Sequence, residues 1–345
     1  MKNWGLRGCR FGSPAAFTLG LALFSIALAA QAYAELDGYG PFPVRNFQLF
    51  QVMFLGMQGD RATVLKKGAL DIRVELAETS NVFYETLPNV NAKIKLEQLR
   101  SGLFFRYGLT DRLEVAMEIP AYYRYEGFMD GMISQVERLT SGLSPARAAL
   151  KNTPFVYNLS LNGQTTFSGG DGDLALGDIT LYGKYQLLKD QGWTPAFSLR
   201  AAVKVPSGDS GRFFGSGHTD LGIGVAVEKR LADKWLLYGN LNGIFPTGSV
   251  ATLSTQPSMS AIGAVEYLFT SNFSLTAQFD YYTSSFRNTG TNILDGAVAE
   301  VAMGFSYRLR PHLVWQVYGV ENFGSGSNDA ADFTLSTLMS YRFGR

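Results

Sequence analysis

The chain holds two histidines, and one of them, His218, stands in "GSGHTD" beside Ser216 and Asp220. A serine, a histidine and a carboxylate are the raw materials of nucleophilic hydrolysis: the imidazole takes the hydroxyl proton and the carboxylate holds the imidazole. No oxyanion-stabilising or nucleophile signature accompanies these three. A solvated loop residue entering a strand is therefore the better reading, and a hydrolase comes third, behind a channel and a structural protein. His312, in "RPH", reads as a turn residue. "SGGDGD" (168–173) and "GSGSND" (324–329) carry oxygen ligands at short spacing but lack a full calcium-loop set, so both read as turns. With two distant imidazoles and a single cysteine, Cys9, no metal cluster is expected. No glycine-rich phosphate loop sits in strand–helix context, so no cofactor is expected either.

The other residues with chemistry in them are charges on alternating positions. "ALDIRVELAE" carries Arg73 and Glu75, "RLEVAMEIP" carries Arg112, Glu114 and Glu118, and "LGDITLYGKYQLL" carries Lys184. Arg200 and Lys204 follow in "SLRAAVKVP", with Glu228 and Arg230 in "TDLGIGVAVEKR". Glu266, Asp280, Glu300 and Arg308 continue the series, and Lys93 and Lys95 share its parity. Both signs are mixed, as in a polar channel wall of low selectivity or a self-neutralising filling.

The elements that position them are long strands. Neighbouring side chains in a strand point to opposite faces, so each of these runs has one greasy and one wet face. Twelve such runs fall near 69–80, 92–108, 112–125, 174–188, 195–205, 218–231, 235–245, 257–269, 273–284, 295–309, 313–323 and 333–343. They are longer than ordinary soluble strands and match tilted membrane strands of roughly 9–11 residues. Tight turns such as "LTD", "ADK" and "TSN" alternate with long Gly/Ser/Thr/Asn-rich loops, and aromatic residues gather at both ends of the runs. That is the pattern of a bacterial outer-membrane barrel. The fold expected is all-β: a transmembrane antiparallel β-barrel of about 12 strands, with 14 as the alternative.

The first residues fit export. Lys2, Arg7 and Arg10 precede the apolar run Ala15–Ala30, and "AYA" (32–34) is a cleavage signature, so 1–34 reads as a signal peptide cut after Ala34. Three of the 30 Lys and Arg and none of the 29 Asp and Glu lie in that leader, leaving a net of −2. A nucleic-acid partner would need a basic surface. Outer-membrane lipid is the expected surroundings, and the C-terminal strand "FTLSTLMSYRF" is the expected signal to the barrel-assembly machinery.

Two segments depart from the alternation. The N-terminal segment 35–68 contains "VRNFQLFQVMFLGM", apolar on both parities; it is expected to be a periplasmic lid or plug, or an extra strand. Residues 126–173 read as one extracellular insertion. Met129, Ile133, Val136 and Leu139 recur at helical spacing, and Ser144-Pro145 open a second short helix. An apolar stripe needs a surface to cover. Tyr122, Tyr123 and Tyr125 would offer one, so the helix is expected to constrict the outer mouth, with docking on an external partner as the alternative. "FVYNLSLNGQTTF" (155–167) is a rim strand or a hidden barrel strand.

"GDGDLALGDITLYGKYQLL" (170–188), "PAFSLRAAVKVPSGD" (195–209), "GSGHTDLGIGVAVEKRL" (215–231) and "WLLYGNLNGIF" (235–245) resemble the meta-pathway phenol-degradation-like outer-membrane proteins. "PFPVRN" (41–46), "ETSNVF" (78–83) and "DGMISQVERLTSGLSPAR" (130–147) resemble, more narrowly, a bacterial outer-membrane family catalogued as a domain of unknown function. That family's Phe-His pair after the "DG-x-I" element is replaced here by Val136-Glu137, so no role passes to that histidine. The resemblance implies a barrel in the outer membrane. It also implies a small amphipathic or aromatic solute, passed or bound. A structural or surface-interaction barrel with a plugged lumen is the second reading.

Overall fold

The computed structural model describes residues 38–140, 142–323 and 331–344. The leader 1–34 and the loop residues 324–329 lie outside them. Fifteen strands form one antiparallel sheet, and twelve of them close into a ring. The ring strands are β1 (Leu70–Leu87), β2 (Val90–Gly108), β3 (Leu113–Tyr125), β7 (Ile179–Leu188), β8 (Ala196–Val205), β9 (Asp220–Ala232), β10 (Trp235–Pro246), β11 (Ser258–Leu268), β12 (Phe273–Tyr282), β13 (Val298–Arg310), β14 (Leu313–Asn322) and β15 (Phe333–Phe343). The ring closes where Leu70 of β1 pairs with Phe343 of β15. Outside it stand β4 (Val156–Leu161), β5 (Gln164–Ser168) and β6 (Asp173–Leu176), with helices α1 (Met129–Thr140), α2 (Pro145–Ala149) and α3 (Asn292–Asp295).

The ring is inside out relative to a soluble protein. Ile223, Met303 and Leu241 face outward at 61%, 64% and 50% exposure, while Glu75, Glu266 and Asp280 face inward and are fully buried. Soluble domains almost never bury unpaired charge or expose such a continuous apolar belt, but a barrel in lipid must expose one.

β1 and β2 are 18 and 19 residues long and outrun the ring. β1 pairs with β15 only as far as Ser80. Beyond that row the hairpin continues to Leu87 and Val90, and β4 pairs along Val90–Lys95 with β5 beyond it. The stretch 155–167 is thus a hairpin added to this extension, not a further ring strand. The hydrophobic pattern of β2 inverts at the boundary. Arg106, Arg100 and Gln98 face the lumen, and on the same face Leu96, Ile94 and Ala92 are apolar and buried. This corrects the parity reading of Lys93 and Lys95: above Glu97 the inward face is a hydrophobic underside, so these lysines point outward.

Candidate functional site

Residues 38–69 form no strand; they fill the barrel interior. The chain enters near the tight-turn end, where the Tyr39 hydroxyl donates to the Ser271 carbonyl. It rises past β12 and β14 to a single 3₁₀ turn at Gln51–Met53, then descends to β1, where Gly68 donates to the Gly108 carbonyl. A Cβ on Gly108 would sit 2.1 Å from the Lys66 carbonyl, so only glycine admits the returning limb there. Arg45 ties the two limbs together, donating to the carbonyls of Val52 (3.2 Å) and Phe54 (2.8 Å).

An irregular chain in a closed interior must have its main-chain groups satisfied by side chains. The wet faces of the strands do this. Glu266 accepts from the Tyr39 and Gly40 amides, Asp220 from Leu55 at 2.8 Å, and Glu114 from Leu65 at 2.8 Å. Gln278 both accepts from and donates to Phe42, and Asn240 does the same for Asp60. Arg200 donates to the Gln58 carbonyl, Lys204 to Met53, Asn242 to Met57 and Ser198 to Ala62. Charges complete the hold: Asp60 pairs with Lys184 (2.9 Å) and Arg106 (3.2 Å), and Arg61 pairs with Glu228. Apolar contacts lie between these bonds. Phe42 stacks on Tyr318 at 4.5 Å, and Leu55 and Met57 pack on Ala202 and Ile244. Across the centre, Arg100 bridges Glu75 and Glu118, which accept from the hydroxyls of Tyr318 and Tyr182. Cavities of about 60 Å³ beside Asp60 and about 40 Å³ beside Gln51 remain, each room for a few waters.

The sequence-derived lumen residues are therefore not one lining. Glu75, Glu114, Glu118, Lys184, Arg200, Lys204, Glu228 and Glu266 are buried and engage the filling segment or the central network. Arg73 pairs with Asp71, and Arg308 lies over the Tyr39 ring. Asp280 and Glu300 oppose each other in the β12–β13 register. Arg112 and Arg230 belong to the tight-turn end: Arg112 is exposed in a turn, and Arg230 donates to the Asp233 carbonyl. Sequence reasoning passed over Asn240, Asn242, Gln278, Ser198 and Asp60. For Asn240, Asn242 and Gln278 the signal was available, because amides on the wet parity of a membrane strand suit an enclosed main chain better than water.

At the outer mouth the segment's tip is roofed. Leu49, Phe50, Met53 and Phe54 pack under Phe83, Ile94, Leu96, Leu159 and Phe167 of the extended hairpin and β4–β5, with Phe286 and Leu294 from neighbouring loops. The constriction expected from α1 is a correction. Tyr122 is buried and packs with Phe214 and Val52, but Tyr123 and Tyr125 stack on the outer face. Met129 is buried and Ile133 half-buried, whereas Val136 and Leu139 are exposed. The polar side of α1 is the side that docks: Glu97 accepts from the amides of Phe128, Met129 and Asp130, and Arg147 joins Asp130, Glu137 and Asp332. A stripe read from spacing does not say which face docks.

His218 meets Ser216 only through main-chain bonds; the Ser216 hydroxyl lies 2.5 Å from the Lys204 amine, which also bridges Asp178 and Asp220. Asp173 accepts from the Gly170 amide, closing "SGGDGD" as a turn. Among the described residues no three His, Cys, Asp or Glu gather as a metal site.

This interior and ring define an outer-membrane β-barrel filled by its own N-terminal segment. The chain belongs to the family described as "Protein of unknown function (DUF3187)", whose model matches residues 18–344. The fold is similar to that of the COG4313 outer membrane channel from Pseudomonas putida F1, with a TM-score of 0.57 at 14% identity over 82% of this chain and 98% of that one. The NanC porin aligns at a TM-score of 0.46 and 12% identity over 80% of this chain and 100% of that one, a distance at which only the general shape is shared. No curated protein matches the sequence.

Proposed function

We propose that the protein is a gated outer-membrane channel for a small amphipathic or aromatic solute, closed at rest by residues 38–68. The observation that carries this reading is how the segment is held. The segment is held by side chains of the wall, through hydrogen bonds and a few ion pairs and not by ladder pairing, and each such hydrogen bond contributes only about 0.5–1.5 kcal/mol. A filling meant to be permanent could have paired as a strand. Both limbs end at the tight-turn side, so displacement needs no threading through the roof. Once the segment moves, Phe104, Tyr122, Tyr182, Tyr238, Tyr282 and Tyr318 on the inner face would alternate with charges along the bore. Such a wall suits an aromatic ring carrying a polar group. The solute class rests also on the phenol-degradation-like resemblance.

The second reading, a structural barrel with a permanent filling, is favoured by the small size of the remaining cavities. Asn240→Ala with Gln278→Ala removes four main-chain bonds to the segment without altering charge. Permeation of phenol into vesicles holding this variant should exceed that of the unaltered protein, while both stay heat-modifiable on gels. Equal permeation in a variant that still folds transfers the case to the second reading.

A further inference from the structure

Helix α1 buries Met129 and half-buries Ile133, yet its free side carries an apolar stripe that a helix in water would bury. Phe128, just before it, with Met132, Val136 and Leu139, follow spacings of four, four and three, so they form one stripe, and all four are exposed, Leu139 at 78%. The side turned to the protein carries Asp130 and Glu137, bound to Arg147 and Lys95. A helix washed by water on its free side presents charge there and buries its stripe. An outward apolar face also marks the ring wall, where it is caused by lipid.

Position makes the two continuous. On the outer face of β1, Leu70, Ile72, Val74 and Leu76 give way to Glu78 and Ser80, and Ser80 meets Arg147. From Leu70 to Glu78 is the length of tilted strand that crosses the roughly 25 Å apolar band. On β2 the matching residue is Glu97, which holds the α1 N-terminus, and the stacked Tyr123–Tyr125 pair stands beside it on β3. α1 therefore starts at the level where the wall leaves the lipid.

We propose that α1 lies in the outer leaflet, with Phe128, Met132, Val136 and Leu139 inserted at the head-group boundary, as interfacial helices do. The occupant of the stripe is the lipid of the membrane that surrounds the ring. Lys95 and Arg147 join α1 to the extended hairpin, so the leaflet would also brace the roof of the mouth. This inference rests on the barrel alone and stands whether or not the interior opens.

Single cysteines at Met132→Cys and Leu139→Cys, in the full chain with Cys9→Ser, can carry an environment-sensitive nitrobenzoxadiazole. Lys151→Cys, on the exposed rim, serves as the water reference. In phosphatidylethanolamine–phosphatidylglycerol vesicles, both stripe labels should emit to the blue of the Lys151 label. They should be quenched by nitroxide-bearing lipid and be shielded from aqueous iodide. Iodide access equal to that of the Lys151 label would overturn the proposal. So would shielding without lipid quenching, accompanied by Met132→Cys disulfides between copies, which would assign the stripe to a second chain.

Discussion

Glu300 and Asp280 face each other across β12 and β13, both buried, and Glu300 Oε2 has no hydrogen-bond partner among the described residues. Two acidic groups directly opposed on paired strands are destabilising. Other carboxylates of the inner face have cations: Glu75 and Glu118 share Arg100, Glu228 has Arg61, and Glu114 has Arg106 and Lys184. Glu300→Gln is therefore expected to stabilise the folded barrel, read as a higher midpoint in urea with heat-modifiability as the probe. Arg100→Met is expected to do the opposite. It leaves buried Glu75 without its cation and Glu118 with only Arg45, 3.6 Å away, a loss on the order of 3–5 kcal/mol. At this scale the sequence was legible in part. The wet parity of Glu114, Lys184 and Arg200 follows from alternation alone. Their partners do not, because Leu65, Asp60 and Gln58 lie 49, 124 and 142 residues away from Glu114, Lys184 and Arg200, in a segment without periodicity.

The elements divide by how many solvents they meet. A strand between lipid and a polar interior alternates cleanly, and all twelve ring strands were readable for that reason. β2 meets two interiors in succession, so its inward face turns from Arg100 and Gln98 to Leu96 and Ile94 without a break in the strand. The parity rule fails there. Residues 44–57 of the inner segment are enclosed on every side, which is why "VRNFQLFQVMFLGM" is apolar on both parities. The insertion offers a test at this scale. Arg147 is buried amid Asp130, Glu137 and Asp332, an excess of negative charge. Burial pushes the Asp332 carboxyl up to about 7, Arg147 pulls it back, and Glu137, Glu321 and Asp130 add to the push. A free aspartate titrates near 3.9. The docked form therefore holds a proton that the undocked form has lost, and docking weakens as pH rises from about 4 to about 7. Limited proteolysis within 126–152 should be faster at pH 8 than at pH 5, and Asp332→Asn should remove the difference. An equal rate at both pH values in the unaltered protein contradicts this reading of the Arg147 cluster.

The whole molecule is a closed ring whose interior is occupied by its own chain from the tight-turn end to the roofed outer mouth. The proposed function requires this occupation to be reversible and to gate passage. Ala62 of the inner segment packs against Ala196 of β8 and Ala226 of β9. Ala62→Cys with Ala226→Cys, in a chain with Cys9→Ser, would staple the descending limb to the wall. Planar-bilayer recording of this variant under oxidising and reducing conditions tests the claim most directly. The account expects channel openings after reduction and none while the staple is closed. Identical traces in the two redox states, conducting or silent, would contradict it.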